Sequence, residues 1–326
     1  MRAQVLTEFG GPEKFQLLDV ETPVAAPGQV LIRIRAAALN PVDAKIREGL
    51  PIGPAMPAIL GADLAGVVEA VGAGVTGLTV SDEVYGCAGG VKGHGGTLAQ
   101  YIAADAHLIA PKPRSLSFRE AAALPLVAIT TWDAMERLAI VPGEHVLVHG
   151  ATGGVGHVGI QMAKAAGARV AAAVGSDAAA AIATRLGADD IIIRTEPVSD
   201  YVARLTGGNG FHAIFDTFGG ANLMNSFEAA AIGGRIATTN ARVTADLGNM
   251  HAKALTLSAV FMLLPMLKGP GRERHGRILR EIATLCDAGK LKPLIDSRSF
   301  TLETVPAAYT HLGSGTARGK IVIDID

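Results

Sequence analysis

The stretch HVLVHGATGGVGHVGIQMAKAAGARVAAAVG, from His145 to Gly175, constrains this chain more than any other. It sets an apolar run, a glycine-dense loop, a helical pattern and a second apolar run in immediate succession. A helix between two strands is the usual crossover of a parallel pair, which a tight hairpin cannot make. In the Rossmann fingerprint G-x-G-x-x-G, a strand delivers glycines to a helix N-terminus. They permit a tight turn, close approach of a pyrophosphate and close helix–strand packing, and the free N–H groups of the first helical turn face the anion. Here Ala151-Thr152-Gly153-Gly154-Val155-Gly156 occupies the pattern, with Gly150 just before it. The first glycine is displaced by one residue. No Gly-Lys-Ser/Thr follows, so a triphosphate-binding P-loop is a poor rival.

The end of the second strand bears on which dinucleotide is bound. Sites that prefer NAD place Asp or Glu there to bond the ribose 2′-hydroxyl. This chain has Val174, Gly175 and then Ser176, which is able to donate to a 2′-phosphate. Asp177 follows, in a place suited to capping the next helix or facing solvent. NADP(H) is the preferred cofactor on this reading, with NAD(H) possible. Ligands of open α/β sheets bind beyond the carboxyl ends of the strands. This makes Thr217 and Phe218, in FDTFGG, and Asn240, closing RIATTN, further candidates for cofactor contact.

Three textures follow one another. Residues 1–120 are short β-branched runs separated by turn residues, as in QVLIRIRAAAL and LAGVVEAVG, and predict a β-rich barrel-like unit. Residues 121–291 alternate strands and helices, including a helix over EAAALPLVAITTWDAMERLA and a strand in LTLSAVFML, which implies a parallel sheet covered on both faces. Residues 292–326 return to short strands, SRSFTLETV and GKIVIDID, expected to rejoin the first unit. The fold class is therefore α/β. With 29 basic against 30 acidic residues, nothing suggests a nucleic-acid footprint or an anionic-membrane surface. The two cysteines, Cys87 and Cys286, have no metal-like spacing, and with no signal-like N-terminus they point to the cytoplasm. No stretch reads as a membrane span.

Several segments, in order along the whole chain, resemble the zinc-independent quinone oxidoreductases of the medium-chain dehydrogenase/reductase superfamily. They are ALNPVDAKIREG, LGADLAGVVEAVG, GGTLAQY, AAALPLVAITTW, the glycine loop itself, FDTFGG and the terminal GKIVIDID. The resemblance implies a GroES-like β-rich catalytic domain, from 1–120 and 292–326, around a Rossmann-type nucleotide domain at 121–291, with a cleft between them. It implies a homodimer formed through edge strands of the nucleotide domains, for which LTLSAVFML is suited. It also implies reduction of a quinone or an activated α,β-unsaturated carbonyl by NADPH.

A catalytic zinc needs three protein ligands. Where zinc-bearing relatives carry an early Cys and a Gly-His-Glu, this chain has Asn40 and Gly61-Ala62-Asp63, and the four-cysteine lobe is missing. No zinc is expected. By the resemblance, Asn40 and Asp43 lie where substrate and nicotinamide meet, and Thr130 contacts the nicotinamide end. Asn40 before Pro41 also suits a turn, Asp43 a helix cap, and Thr130 a helix interior. Many relatives carry a tyrosine after this run where Ala44 and Lys45 stand here, so Lys45 is a candidate proton donor. A lysine found after Ser176 in NADPH-using relatives is absent, and Arg194, Arg185 and Arg318 are possible replacements. His94 sits in a glycine-rich turn, and Cys286 on an amphipathic helix reads as core. The expected function is a metal-free NADPH-dependent reductase. The alternatives are an enoyl or alkenal reductase without quinone activity, and a non-catalytic NADPH-binding structural or sensing protein.

Overall fold

Alternation in QVLIRIRAAAL builds the longest strand of the chain, which a computed structural model describes over residues 1–326. Strands β1 (Arg2–Leu6) and β2 (Phe15–Asp19) precede it as an antiparallel pair. In β3 (Gln29–Leu39), Val30, Ile32 and Ile34 are fully buried while the residues between them are partly exposed. Helix α1 (Pro41–Arg47) follows at once, with Pro41 at its first position, where the missing N–H costs nothing. Then come β4 (Ala58–Ile59), β5 (Asp63–Val71), β6 (Glu83–Cys87), β7 (Tyr101–Asp105) and β8 (Ile109–Pro111). Pairing is antiparallel throughout: β4 on β1, β5 and β7 on β3, β6 on β5 and β8 on β6. Ser117 and Glu120 form a capping box that starts α2 (Phe118–Ala122).

The helical run expected over EAAALPLVAITTWDAMERLA is two helices. Pro125 has no N–H to continue the first, so it opens α3 (Pro125–Leu138) instead. Beyond it the alternation of strand and helix holds: β9 (His145–His149), α4 (Gly156–Ala165), β10 (Arg169–Val174), α5 (Asp177–Arg185), β11 (Asp190–Ile193), α6 (Val198–Thr206), β12 (Phe211–Asp216), α7 (Asn222–Ala229), β13 (Ala230–Thr238), α8 (Gly248–Ala252) and β14 (Thr256–Ala259). These six strands form one parallel sheet in the order β11-β10-β9-β12-β13-β14. Val146, Val148 and Phe215 pack on one face of it, and Leu147, Phe211 and Ile214 on the other. Burial on both faces is why these strands read as continuous apolar runs.

The chain then adds α9 (Leu264–Lys268), α10 (Glu273–Asp287), β15 (Phe300–Thr301), α11 (Val305–Gly313) and β16 (Ile321–Asp324). The tail does rejoin the first sheet, where β16 pairs antiparallel with β3. The strand expected over SRSFTLETV is only the two residues of β15, followed by a 3-10 turn and α11. Two compact units result, Met1–Ile129 with Leu263–Asp326, and Thr130–Met262. This division differs from the expected boundaries, because 121–129 and 263–291 belong with the first unit. For α10 the reason is local. A Cβ at Gly276 would stand 2.7 Å from the His107 carbonyl, so glycine there brings the helix onto the turn before β8. The Tyr85 hydroxyl then donates to the Leu279 carbonyl at 2.5 Å. No helix is long and apolar enough to cross a membrane.

Phe215 is fully buried in the parallel sheet and packs against Gly159, where an added Cβ would stand 2.9 Å from its ring. Phe215→Ala should lower stability by about 3–5 kcal/mol in denaturant unfolding. A loss below about 1 kcal/mol would show that the second unit does not depend on this contact.

Candidate functional site

Gly150 takes over the role of the first fingerprint glycine. Its φ is +64°, and a Cβ there would lie 2.4 Å from Thr217 Oγ1 and 3.3 Å from the Phe218 ring. Ala151, one residue on, is fully buried, and its N–H donates to the Ala173 carbonyl at 3.2 Å, tying the end of β9 to β10. The position that needs glycine has shifted by one residue with the turn. A Cβ at Gly156 would strike the Gly150 carbonyl at 2.1 Å, so the start of α4 lies directly against the loop backbone. Gly153 is exposed, with its N–H on the Gly150 carbonyl at 2.9 Å, and the loop is held from α3 by Thr131 Oγ1 donating to the Val155 carbonyl at 3.4 Å. Thr152, Gly154 and Val155 complete the loop, partly exposed. Thr130 is buried on α3.

The other expected cofactor residues gather at the carboxyl edge of the same sheet. Thr217 Oγ1 donates to the His149 carbonyl at 2.7 Å, which couples the turn after β12 to the glycine loop. Asp216 is fully buried and accepts from the Phe218 and Gly219 N–H groups and from Ser226 Oγ, so its carboxylate shapes the turn. Asn240 Nδ2 donates to the Phe218 carbonyl at 3.3 Å and steadies that turn from β13. Ser176 caps α5 by accepting from the Ala179 N–H at 3.3 Å, so the capping that the sequence suggested for Asp177 falls to its neighbour. Arg194 is the basic residue the structure brings to this edge. Its N–H donates to the Val174 carbonyl at 2.8 Å, and its guanidinium lies over the exposed Phe218 ring, 6.0 Å from the centroid. Arg185 sits at the far end of α5, and Arg318 is in the first unit, beside Asp296.

In the first unit, Asn40 and Asp43 meet partners that lie far away in sequence. Asn40, fully buried, is extended at φ −128°, ψ 152° as β3 turns into α1. Asp43 Oδ2 reaches back to accept the Asn40 N–H at 2.8 Å, as the last member of a capping box does. Asn40 Nδ2 donates to Asp63 Oδ2 at 2.9 Å. Lys320 Nζ donates both to Asp63 Oδ2, at 3.0 Å, and to Asn40 Oδ1. Asp63 Oδ1 accepts the Leu126 N–H at 2.8 Å. Two carboxyls thus lie near one ammonium, which pairs directly with Asp63, in a buried site. Burial, and then the neighbouring Asp63 charge, push the Asp43 carboxyl up to about 7.

Lys45 is exposed on α1 and makes no bond to this network. Lys320, which is 2% exposed, is the residue that sequence reasoning missed. The only signal was a lysine directly before the apolar run IVID, where a buried strand begins. His94 Nε2 rests 3.1 Å from the Met266 carbonyl. Cys286 is core on α10, its thiol pushed up to about 12 by burial. No three His, Cys, Asp or Glu side chains converge to hold a metal ion. Asp43 and Asp63 are bonded within the cluster, and Lys320 already brings a positive charge to it. The residues present do not fit a catalytic zinc.

Asp43 predicts a pH dependence of stability. Its folded-state carboxyl, at about 7, keeps a proton that an ordinary carboxyl at 3.8 releases. The stability this contributes is whole below about pH 4 and is lost as the pH rises through 7. Unfolding free energies of the protein and of Asp43→Asn, measured between pH 4 and 8, should diverge by a few kcal/mol. Parallel curves would refute the buried protonated carboxyl.

Comparison with known proteins places both units in one family. Residues 26–114 match the alcohol dehydrogenase GroES-like domain, and residues 186–323 match the family described as zinc-binding dehydrogenase. A 2-methylene-furan-3-one reductase of Solanum lycopersicum is 34% identical over 99% of this chain and 79% of its own length. A quinone oxidoreductase of Homo sapiens is 31% identical over 99% of this chain and 97% of its own. The crystal structure of Escherichia coli quinone oxidoreductase complexed with NADPH superposes with a TM-score of 0.89 at 26% identity, covering 99% of this chain and 98% of that one. Matches of that length, spanning both units, make this chain a member of the quinone oxidoreductase family of the medium-chain dehydrogenase/reductase superfamily.

Proposed function

We propose that the protein is an NADPH-dependent reductase of quinones or activated α,β-unsaturated carbonyls that works without a metal. One observation carries the reading: the carboxyl edge of the parallel sheet joins a backbone cradle at Gly150–Gly156 to an end of β10, Val174-Gly175-Ser176, that bears no acid and has Arg194 bonded beside it. The nicotinamide, when bound, supplies the hydride. The cradle residues Ala151 to Gly156 hold the pyrophosphate, with the first-turn N–H groups of α4 facing its charge. Arg194 offers a fixed positive charge for a 2′-phosphate in place of the lysine missing after Ser176, and Ser176 offers a hydroxyl. Thr130, Thr217, Phe218 and Asn240 line the remainder of the cofactor's path.

On the substrate side, hydride addition to an enone or quinone develops an enolate that needs hydrogen bonds and a proton. Asn40 and Asp43 are the buried polar groups assigned to that task. Lys45, in solvent and outside the network, is assigned none. The name of the tomato relative, a 2-methylene-furan-3-one reductase, favours an activated alkene as the second reading. We infer further a cytoplasmic homodimer paired through β14, which ends the six-stranded sheet and bonds only β13.

Following NADPH absorbance with a naphthoquinone, with 2-alkenals and with no acceptor tests the reading. Oxidation that depends on an acceptor is expected, and its absence under every condition would leave only a nucleotide-binding protein. In fluorescence titrations NADPH should bind more tightly than NADH. Arg194→Ala should weaken NADPH about tenfold and leave NADH unchanged. Equal affinities of the unaltered protein for the two would refute the cofactor assignment.

A further inference from the structure

We propose that Asp43 exchanges a proton during turnover, and that Asp63 and Lys320, reaching it from β5 and from the residue before β16, are positioning residues that set how readily it does so. The kinetic part of this rests on the reductase reading above, whereas the proton exchange itself does not. Asp43 has one oxygen committed and one at liberty: Oδ2 accepts the Asn40 N–H, and Oδ1 is buried without a partner. Across from α1, the Tyr309 hydroxyl on α11 is also buried without a partner and lies within reach of the Asp43 charge. A proton arriving at Oδ1 forms an O–H bond there and turns an unpaired acceptor into a donor; it leaves again to water or to the reacting molecule, and no electrons move. A carboxylate oxygen buried without a donor is costly, which is what makes the protonated form accessible.

The groups facing Asp43 act with opposite signs. From β5, Asp63 repels its negative charge, and from beside β16, Lys320 attracts it. Asn40 stands between them, its Nδ2 on Asp63, its Oδ1 on Lys320 and its backbone N–H on Asp43 Oδ2, so one residue bonds all three. Of the remaining neighbours, Arg47, one turn along α1, binds Glu48 through Nη2 at 2.6 Å and lies over the Tyr309 ring, while its Nε and Nη1 are buried without a hydrogen-bond partner. Cys87 on β6 keeps its proton, because burial and then Asp63 push its thiol well up. Tyr309 is held neutral in the same way, by burial and then by Asp43.

The experiment is a carboxyl-carbon NMR titration of the full chain, labelled at aspartate and free of nucleotide. One aspartate should titrate near neutral pH, and Asp43→Asn should remove that resonance. Asp63→Asn should move the midpoint down by about one pH unit, Lys320→Met should move it up by a similar amount, and the double variant should fall between the two. The double variant removes both charges together, which a buried pair tolerates better than the loss of one, so the sign pattern remains readable if Lys320→Met alone fails to fold. A purely structural role for Lys320 would leave the midpoint where it was. Midpoints that do not move, or that move the same way in the variants, overturn the proposal. The pH profile of kcat/KM with NADPH and a quinone should shift in the same directions. A flat profile beside the expected midpoints overturns the part of Asp43 in turnover. Absence of any acceptor-dependent oxidation beside the same midpoints refutes the reductase reading and leaves the proton exchange standing.

Discussion

The first unit turns on a single buried ammonium. Lys320 joins Asp63 and Asn40 and through them Asp43, so one cation links the end of β3, the start of α1, the start of β5 and the approach to β16. Charges so enclosed are expensive to bury, and Lys320 and Asp63 persist because they are both paired and hydrogen-bonded. Removing one member strands the others, at a cost of about 3–5 kcal/mol. The cluster has two carboxyls for one lysine. The surplus falls on Asp43, the carboxyl whose Oδ1 has no donor.

The second unit is arranged by space instead of charge. Its sheet needs only apolar strands covered on both faces, and what distinguishes it is how closely the loops at the carboxyl edge approach one another. Gly150 lies against Thr217 and Phe218, and Gly156 against Gly150. The glycine loop and the turn after β12 therefore form one surface, fastened by Thr217 on the His149 carbonyl and by Asn240 on the Phe218 carbonyl. This is why residues that lie far apart in sequence share that edge.

Local pattern made the second unit largely legible. Strand and helix periods survive in a parallel sheet because each element is complete in itself, and the glycine loop is contiguous. What sequence could not convey was distance between residues. Nothing in Asn40, Asp43 and Asp63 announces a partner at 320, and a lysine ahead of IVID reads as solvated until β16 is seen to pair with β3. Lys45 drew attention by its closeness in sequence, yet α1 turns it outward. The place of α10 was hidden for a related reason: Gly276 looks like a helix-weakening residue, and its purpose lies in the His107 carbonyl against it. Pro125, by contrast, stands in plain view within EAAALPLVAITTWDAMERLA, and the helical texture on both sides of it reads as a single helix where the chain makes two.

The pairing of β16 with β3 has a consequence for how the chain is made. Residues 130–262 are continuous and can close their core as soon as they leave the ribosome. Residues 1–129 form part of a unit that stays incomplete for longer, because the strand and the ammonium that complete it are translated some 280 residues after Asn40. For most of synthesis the first unit would hold Asn40, Asp43 and Asp63 without their cation, next to a sheet lacking β16. Domains generally form as units while they emerge, with incomplete sheets exposed to mispairing. The unit that begins the chain is then the one completed last.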